Sequence, residues 1–329
     1  MNVLVTGGGG FIGSAIVHEL IKKNFNVTSF SRGDYPELRK IGAKTIRGDL
    51  SDINSVLKAS EQVDIVFHVA AKAGVSGNYK DYYRTNVIGT CNVINACKRN
   101  MIKYLVFTGS ASVVFDGKDI CGKDESLPYP KHYLSYYSKT KALAEQIILQ
   151  SNSSILRTIS LRPHLVYGPG DNHLFPGILR RARSGKLRVI GNGRNLIDVS
   201  FIDNVVTAHL NAASALMNDP GIAGKAYFIT NDEPVLLWNF LGLMLKMTNN
   251  APISKSVPTT IAYLLSAVSE TIHRTLVRNR EPLITRFLVK ELTCNHWFDI
   301  SNARKDLNYS PEVSNIEGIR KMAKMINPG

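Results

Sequence analysis

Acidic residues are scarce in this sequence. Its 329 residues carry 26 Asp and Glu against 40 Lys and Arg, a formal net charge of +14. Spread evenly, such an excess serves solubility; concentrated, it draws in anions. Six cations, Arg180, Arg181, Arg183, Lys186, Arg188 and Arg194, follow one another with no acid between them. They suit a phosphorylated cofactor, an acidic substrate or an anionic membrane surface. No nucleic acid partner is expected, because the chain has no helix-turn-helix or zinc signature and no basic strip interleaved with aromatics. Cysteine is also scarce. Cys91, Cys97, Cys121 and Cys294 show no C-x-x-C spacing, which argues against a metal framework and for reduced thiols. His164 and His173 have no Cys, Asp or Glu ligand set around them, so no metal is expected. No apolar run is long enough to span a bilayer. The first residues, MNVLVTG, already read as a strand and leave no room for a secretory signal. The expected location is cytoplasmic, with peripheral membrane association as the one exception the basic cluster suggests.

Tyr137-Ser138-Lys139-Thr140-Lys141 lies in YYSKTKALAEQII, which has a helical pattern. Residues four apart share a helix face, so Tyr137 and Lys141 point the same way. A free phenol has a pKa of about 10, and a nearby ammonium favours its phenolate. The pair suits a general acid for a carbonyl or a base for an alcohol. Such spacing also arises by chance on surface helices, and the N-terminus gives it weight. NVLVTGGGGFIGSAIVHELIKK reads as a buried strand, a glycine turn and an amphipathic helix. Gly7, Gly10 and Gly13 fit G-x-x-G-x-x-G in the setting where backbone N–H groups meet a pyrophosphate. An NAD-type site would put Asp or Glu at the end of the next strand, FNVTSFSRG, about 20 residues on. Ser31-Arg32 stands there instead. A carboxylate would repel a 2′-phosphate, whereas Ser and Arg bind one, so NADP(H) is favoured over NAD(H).

Further strands are read at AKTIRGDLSD, VDIVFHVAA, KYLVFTGSASVVF and ILRTISLRP, alternating with helices. Asp49 either contacts an adenine or caps the helix NSVLKAS. Ala70, Ala71 and Lys72 end the fourth strand with little bulk before Lys72. Asn86 lies in the helix RTNVIGTCNVINACKRN. Ser110 and Ser112 lie at the carboxyl end of the fifth strand, where open α/β sheets bind ligands. After Pro163, HLVYGPGDNHLFP reads as a loop. VIGNGRNLIDVSFIDNVVTAHLNAA returns to a strand and a helix, with Asp203 as its N-cap, and KAYFIT is one more strand. LLWNFLGLMLKM and TTIAYLLSAVSETIHRTL are helices. The second, apolar over 259–269, reads as a packed helix, a lid over a greasy substrate or a membrane-surface contact. The alternation predicts an α/β fold: a doubly wound parallel sheet of the Rossmann type with a smaller, mainly C-terminal substrate-binding domain. The expected division is a dinucleotide-binding domain over 1–170 with a return segment at about 199–230. The substrate-binding domain takes 171–198 and 231–329.

T-G-x-x-G-x-x-G, Gly48-Asp49-Leu50, His68-Val69-Ala70-Ala71, Asn86-Val87-x-Gly89-Thr90, the Ser110 strand, Tyr137-x-x-x-Lys141 and Arg162-Pro163 stand in one order. That order resembles the extended short-chain dehydrogenases/reductases (the NAD-dependent epimerase/dehydratase superfamily) from end to end. FHVAAKAGV, DESLPYP, LRPHLVYGPGDNHLFP and NHWFDISNARKDLNYSP resemble the 3β-hydroxysteroid dehydrogenase-like branch. Within it they are similar to the sterol dehydrogenase/decarboxylases and the 2-alkyl-3-oxoalkanoate reductases. The resemblance implies that Tyr137 moves the proton, with Lys141 tuning it and holding the nicotinamide ribose. It implies that Ser110 orients the carbonyl and that Asn86 supports a proton relay. Gly7, Gly10, Phe11, Ile12 and Gly13 would cradle the pyrophosphate, and Asp49 and Leu50 would flank the adenine. Ala70, Ala71 and Lys72 would line the cofactor, and Pro163 and Leu165 its nicotinamide end. The implied activity is hydride exchange on a secondary alcohol or ketone of a hydrophobic small molecule, a 3-oxo sterol or a 2-alkyl-3-oxo acid. Gly109 departs from relatives with Ser or Thr there, so Ser112 is a second candidate for the serine's work. A homodimer through paired helices is common on this scaffold. Two other functions fit the same scaffold. A nucleotide-sugar epimerase or dehydratase is disfavoured by Ser31-Arg32, and a dehydratase also by Ala111-Ser112 in place of Asp-Glu. A non-catalytic cofactor-binding sensor is disfavoured by the presence of both Tyr137 and Lys141.

Overall fold

The computed structural model describes residues 1–74, 77–172, 174–275 and 284–326; His173 lies outside them. Strands β1 (Asn2–Thr6), β2 (Asn26–Ser31), β3 (Lys44–Arg47), β4 (Ile65–His68), β5 (Tyr104–Thr108), β6 (Arg157–Pro163) and β7 (Ala226–Ile229) form one sheet. Their order is β7-β6-β5-β4-β1-β2-β3, and every neighbouring pair is parallel. Helices cover both faces of such a sheet, which explains the continuous apolar runs. All four residues of β4, for example, are buried. Chain order reverses between β1 and β4, and the crevice above their carboxyl ends is where such sheets take ligands.

Beyond Pro163 a second apolar core forms around Tyr167, Phe201, Trp238, Phe240, Leu241 and Met322. A small sheet supports it. Leu196–Ile197 pairs with Val235–Leu236 and with His296–Phe298, which pairs in turn with Ile120–Lys123. Segments far apart in sequence are thereby joined, and local patterning carries no trace of this. No helix among the described residues is long and apolar enough to cross a membrane.

Several local expectations need correction. The segment after Pro163 is not all loop: Val166–Tyr167 pairs with Ser200–Phe201, and a helix runs over Leu174–Arg183. The fifth strand stops at Thr108, and Ala111–Val114 forms a 3₁₀ turn capped by Ser110. Asp203 is not an N-cap. It sits in the first turn of the helix Ile202–Asn218, where a negative charge complements the dipole, and pairs with Lys321 at 3.2 Å. The cap of the helix Ile53–Ala59 is Asp52, whose Oδ1 accepts the Asn54 N–H. The helix expected at 84–100 opens with a wider π turn over Tyr83–Ile88 before its α turns at Gly89–Arg99.

The helix Tyr136–Gln150 lies against β5 and β6 through a buried charge. Glu145 is 0% exposed and Arg162 3%. The Glu145 carboxylate accepts hydrogen bonds from Arg162 Nη2 at 2.8 Å and Nε at 3.0 Å, from Ser160 Oγ at 2.6 Å and from Tyr129 Oη at 2.8 Å. Breaking a buried pair from one side costs about 3–5 kcal/mol, because the other charge is left uncompensated. Glu145→Gln should therefore lower the urea midpoint by that much free energy at unchanged slope. Adding Arg162→Met should recover much of the loss. A wild-type midpoint in the single variant would show that the pair does not hold this helix.

Candidate active site

A cavity of about 1000 Å³ opens above the carboxyl ends of β1, β4, β5 and β6. Its floor begins at the glycine loop. Gly7 has φ +73°, a left-handed conformation that suits glycine, and a Cβ there would meet Ala70 Cα at 2.7 Å. A Cβ on Gly13 would lie 2.1 Å from Gly7 O, so the helix Phe11–Lys22 packs backbone to backbone against the loop. Its N-cap, Gly10, makes no side-chain capping bond, and no acid stands in the first turn. The first N–H groups and the positive end of the dipole therefore remain for an anion. These features fit a dinucleotide pyrophosphate.

Gly10, Phe11, Ile12 and Gly13 line this end of the cavity, with Ser31, Arg32, Asp49 and Leu50 along the adjoining wall. Ser31 Oγ accepts the Gly9 N–H at 3.1 Å, so part of its role is to hold the loop. Arg32 is exposed at the cavity edge. Asp49 accepts both the Ser51 N–H and the Ser51 hydroxyl at 2.8 Å, and these bonds hold its carboxyl below the usual range. Ala70, Ala71, Lys72, Pro163 and Leu165 also face the cavity, as do Ser110, Tyr137 and Lys141.

Asn86 lies outside the lining. Its Oδ1 accepts the Lys72 N–H at 2.7 Å. Its Nδ2 donates to Lys72 O at 3.1 Å and to Thr140 Oγ1 at 3.0 Å. Asn86 thus holds the cavity wall to the helix that carries Tyr137. Its backbone O accepts the Thr90 hydroxyl at 2.6 Å, and Thr90 bonds His68, which bonds Thr6 on β1. Burial pushes the His68 pKa down to about 3, so the ring is neutral. This buried polar chain links the glycine loop's strand to the tyrosine's helix.

At the far end, burial raises the Tyr137 pKa, opposed by a hydrogen bond from Ser110; the nearby Glu291 carboxylate raises it further. Lys141 shares the cavity with that phenol; its Nζ donates to Thr108 O at 2.5 Å and lies 4.0 Å from the Phe107 ring centroid. Burial lowers the Lys141 pKa to about 7, partly offset by the Glu145 carboxylate. Ser112 does not line the cavity; its hydroxyl is 2.9 Å from Ser110 Oγ and helps to orient it. The Gly109 departure has a steric cause. A Cβ there would come within 2.8 Å of Glu145 Oε2, Leu161 O and Ser160 Oγ. His164 pairs with His296 at 3.1 Å, both rings being buried. Sequence reading missed Thr108, Thr140 and Glu291. Thr140 lies within the Tyr-x-x-x-Lys motif and carried a usable signal; Glu291 arrives from a distant helix and carried none.

A doubly wound sheet with a glycine loop at its switch point defines a dinucleotide-binding protein of the extended dehydrogenase/epimerase fold. The chain belongs to the 3-beta hydroxysteroid dehydrogenase/isomerase family, whose pattern matches residues 4–257. It is 45% identical to the 2-alkyl-3-oxoalkanoate reductase of Shewanella oneidensis, over 98% of this chain and 85% of that one. It is 42% identical to the Stenotrophomonas maltophilia protein of the same name, over 98% of each. The human sterol-4-alpha-carboxylate 3-dehydrogenase, decarboxylating, is 36% identical over 94% of this chain and 84% of that one. Among solved structures, MoeE5 in complex with UDP-glucose and NAD matches with a TM-score of 0.77 at 26% identity, over 98% of each chain. The protein is a nicotinamide-dependent oxidoreductase of this family's type.

The Lys141 pKa has a measurable consequence. The group's ordinary value is 10.5, and burial depresses it to about 7 in the fold. Between those values the unfolded chain binds more protons, so this group's contribution to stability is present above pH 10.5 and lost as pH falls to about 7. Denaturant midpoints of the wild type should therefore rise from neutral toward alkaline pH relative to Lys141→Met. A difference that stays flat with pH would show that Lys141 keeps its ordinary pKa.

Proposed function

We propose that the protein reduces the ketone of a hydrophobic 3-oxo acid of the 2-alkyl-3-oxoalkanoate class, with NADP(H) as the preferred cofactor. The observation that carries this reading is the Tyr137 phenol, hydrogen-bonded by Ser110 and kept above its ordinary pKa at the inner end of the cavity. A phenol held neutral is the proton donor that ketone reduction needs. The two bacterial relatives named 2-alkyl-3-oxoalkanoate reductase support the substrate class. Ser31 and Arg32, with no acid at the end of β2, support NADP(H).

The nicotinamide, when bound, supplies the hydride. The chain's own residues do the remaining work. The glycine loop and the N-terminus of the helix Phe11–Lys22 hold the pyrophosphate, and Arg32 meets the 2′-phosphate. Lys141, anchored on Thr108 O, donates to the ribose hydroxyls. Ser110, aligned by Ser112, donates to the substrate carbonyl oxygen, and Tyr137 Oη gives that oxygen its proton. Asn86 keeps the Lys72 wall and the Tyr137 helix in register. A second reading, a 3-hydroxy sterol carboxylate as substrate, is supported by the human relative. It uses the same residues in the oxidative direction.

Two experiments test this. The first follows absorbance as purified protein oxidises NADPH or NADH with a long-chain 2-alkyl-3-oxo acid or a 3-oxosteroid. Turnover of the oxo acid with NADPH supports the proposal; turnover of the steroid alone moves the protein to sterol chemistry. Tyr137→Phe should cut that turnover by about a hundred- to ten-thousand-fold while the cofactor still binds. The second uses Arg32→Glu, which should weaken NADPH binding by about 1.5–3 kcal/mol, roughly ten- to a hundredfold in Kd, and leave NADH little changed. Equal losses for both cofactors would sink the 2′-phosphate argument.

A further inference from the structure

Among the described residues, the charged side chains that line the cavity are Arg32, Asp49, Lys72 and Lys141. Arg32 stands at the adenine end, Asp49 pairs with Arg84 at 3.5 Å, and Lys141 Nζ is anchored on Thr108 O. Lys72 has no comparable partner. Among the described residues it makes no ion pair, and its ammonium lies over the Tyr82 ring, 5.3 Å from the centroid.

This lysine is held along its length. Asn86 accepts its N–H at 2.7 Å and donates to its C=O at 3.1 Å. The stem runs past Gly77, where a Cβ would come 3.2 Å from Lys72 Cε and 3.5 Å from Nζ. Gly77 has φ +112°, so this position both needs glycine and makes room for the lysine. Tyr82, beneath the ammonium, is buried, and its hydroxyl donates to Gly74 O at 2.9 Å. A free surface lysine loses much side-chain entropy when it grips an anion; one already packed loses less.

Both ends of Lys72 are referred to the chemistry rather than to the glycine loop. The Asn86 amide that holds its carbonyl also donates to Thr140 Oγ1, and Thr140 Oγ1 donates to Tyr137 O at 3.1 Å. The Tyr82 ring centroid lies 6.5 Å from that of Tyr136, the residue before Tyr137. The pyrophosphate, by contrast, has the uncapped N-terminus of the helix Phe11–Lys22. In a 3-oxo acid the carboxylate stands one carbon away from the ketone carbon. A substrate whose ketone oxygen meets Ser110 and Tyr137 must therefore lodge its carboxylate close by. A carboxylate drawn out of water needs a charged donor there.

We propose that Lys72 binds the carboxylate of the substrate and so selects acids over their neutral esters. The assignment rests on the 3-oxo acid reading of the site. An ammonium has three donors and can take a carboxylate while keeping its place on the Tyr82 face. Held at Lys72 and at Ser110, the substrate is fixed at two points, which orients its ketone toward the hydride donor.

Steady-state kinetics with NADPH test the proposal, using a long-chain 2-alkyl-3-oxo acid and its methyl ester on wild type, Lys72→Met and Lys72→Arg. NADPH binding is followed in parallel by fluorescence. The wild type should prefer the acid. In Lys72→Met that preference in kcat/KM should fall by about ten- to a hundredfold, chiefly through KM for the acid. Lys72→Arg, which keeps the charge, should restore part of it. The Kd for NADPH should change by less than about twofold in either variant. An undiminished acid preference in Lys72→Met overturns the proposal, as does an equal loss for acid and ester. NADPH binding weakened about tenfold with the acid preference intact would give Lys72 to the cofactor and overturn it too. Wild-type protein that turns over a 3-oxosteroid but neither acid nor ester would overturn the substrate reading itself, and this assignment with it, before any variant is measured.

Discussion

Burying the Glu145 carboxylate under the ends of β5 and β6 is the constraint on which the rest of the site depends. A carboxylate without water must be met by several donors; Arg162 and Ser160 supply them from β6 and Tyr129 from the loop before the helix. Once that set is satisfied, the helix Tyr136–Gln150 can neither slide nor rotate without stranding a charge. Tyr137, Lys141 and Glu145 follow one another at intervals of four on that helix, so fixing the deepest also fixes the other two. The same carboxylate occupies the space a side chain at Gly109 would need. The short residue before Ser110 and the buried charge are therefore one feature, not two.

A second constraint ties the two ends of the cavity together. Thr6, His68, Thr90, Asn86 and Thr140 form a buried run of hydrogen bonds from β1 to the tyrosine's helix. Each group has a partner, which is what allows a histidine to sit without charge in the core. The π turn over Tyr83–Ile88 belongs to this arrangement. The Asn86 side chain meets both the Lys72 backbone and Thr140, while its carbonyl takes the Thr90 hydroxyl. Wider turns of this kind often mark functional places in helices. Asn86 thus joins the Lys72 backbone to the helix that carries Tyr137.

What could be read from the sequence follows the range of the interactions. The sheet strands, the glycine turn and the Tyr137–Lys141 helix were readable because each is set by periodicity or by a backbone need within a few residues. The residues around the cavity followed, since strand ends and glycine loops bind at known places. One misreading lies where two nearby residues competed: Asp49 and Asp52 both precede a helix, and Asp52 caps it. Of the two serines after β5, the first choice, Ser110, lines the cavity and Ser112 does not. The small sheet that brings Ile120–Lys123 beside His296–Phe298, and the helix that delivers Glu291, arise from contacts between distant segments. No local pattern reports such contacts.

The electrostatics at the inner end bear on the direction of chemistry. Burial acts oppositely on the two groups of the motif, raising the phenol of Tyr137 and lowering the amine of Lys141. Both shifts favour the neutral forms. A neutral phenol already carries the proton a developing alkoxide requires, whereas alcohol oxidation would first require its removal. Glu291 adds to this bias, and Ser110 opposes it in part through its hydrogen bond.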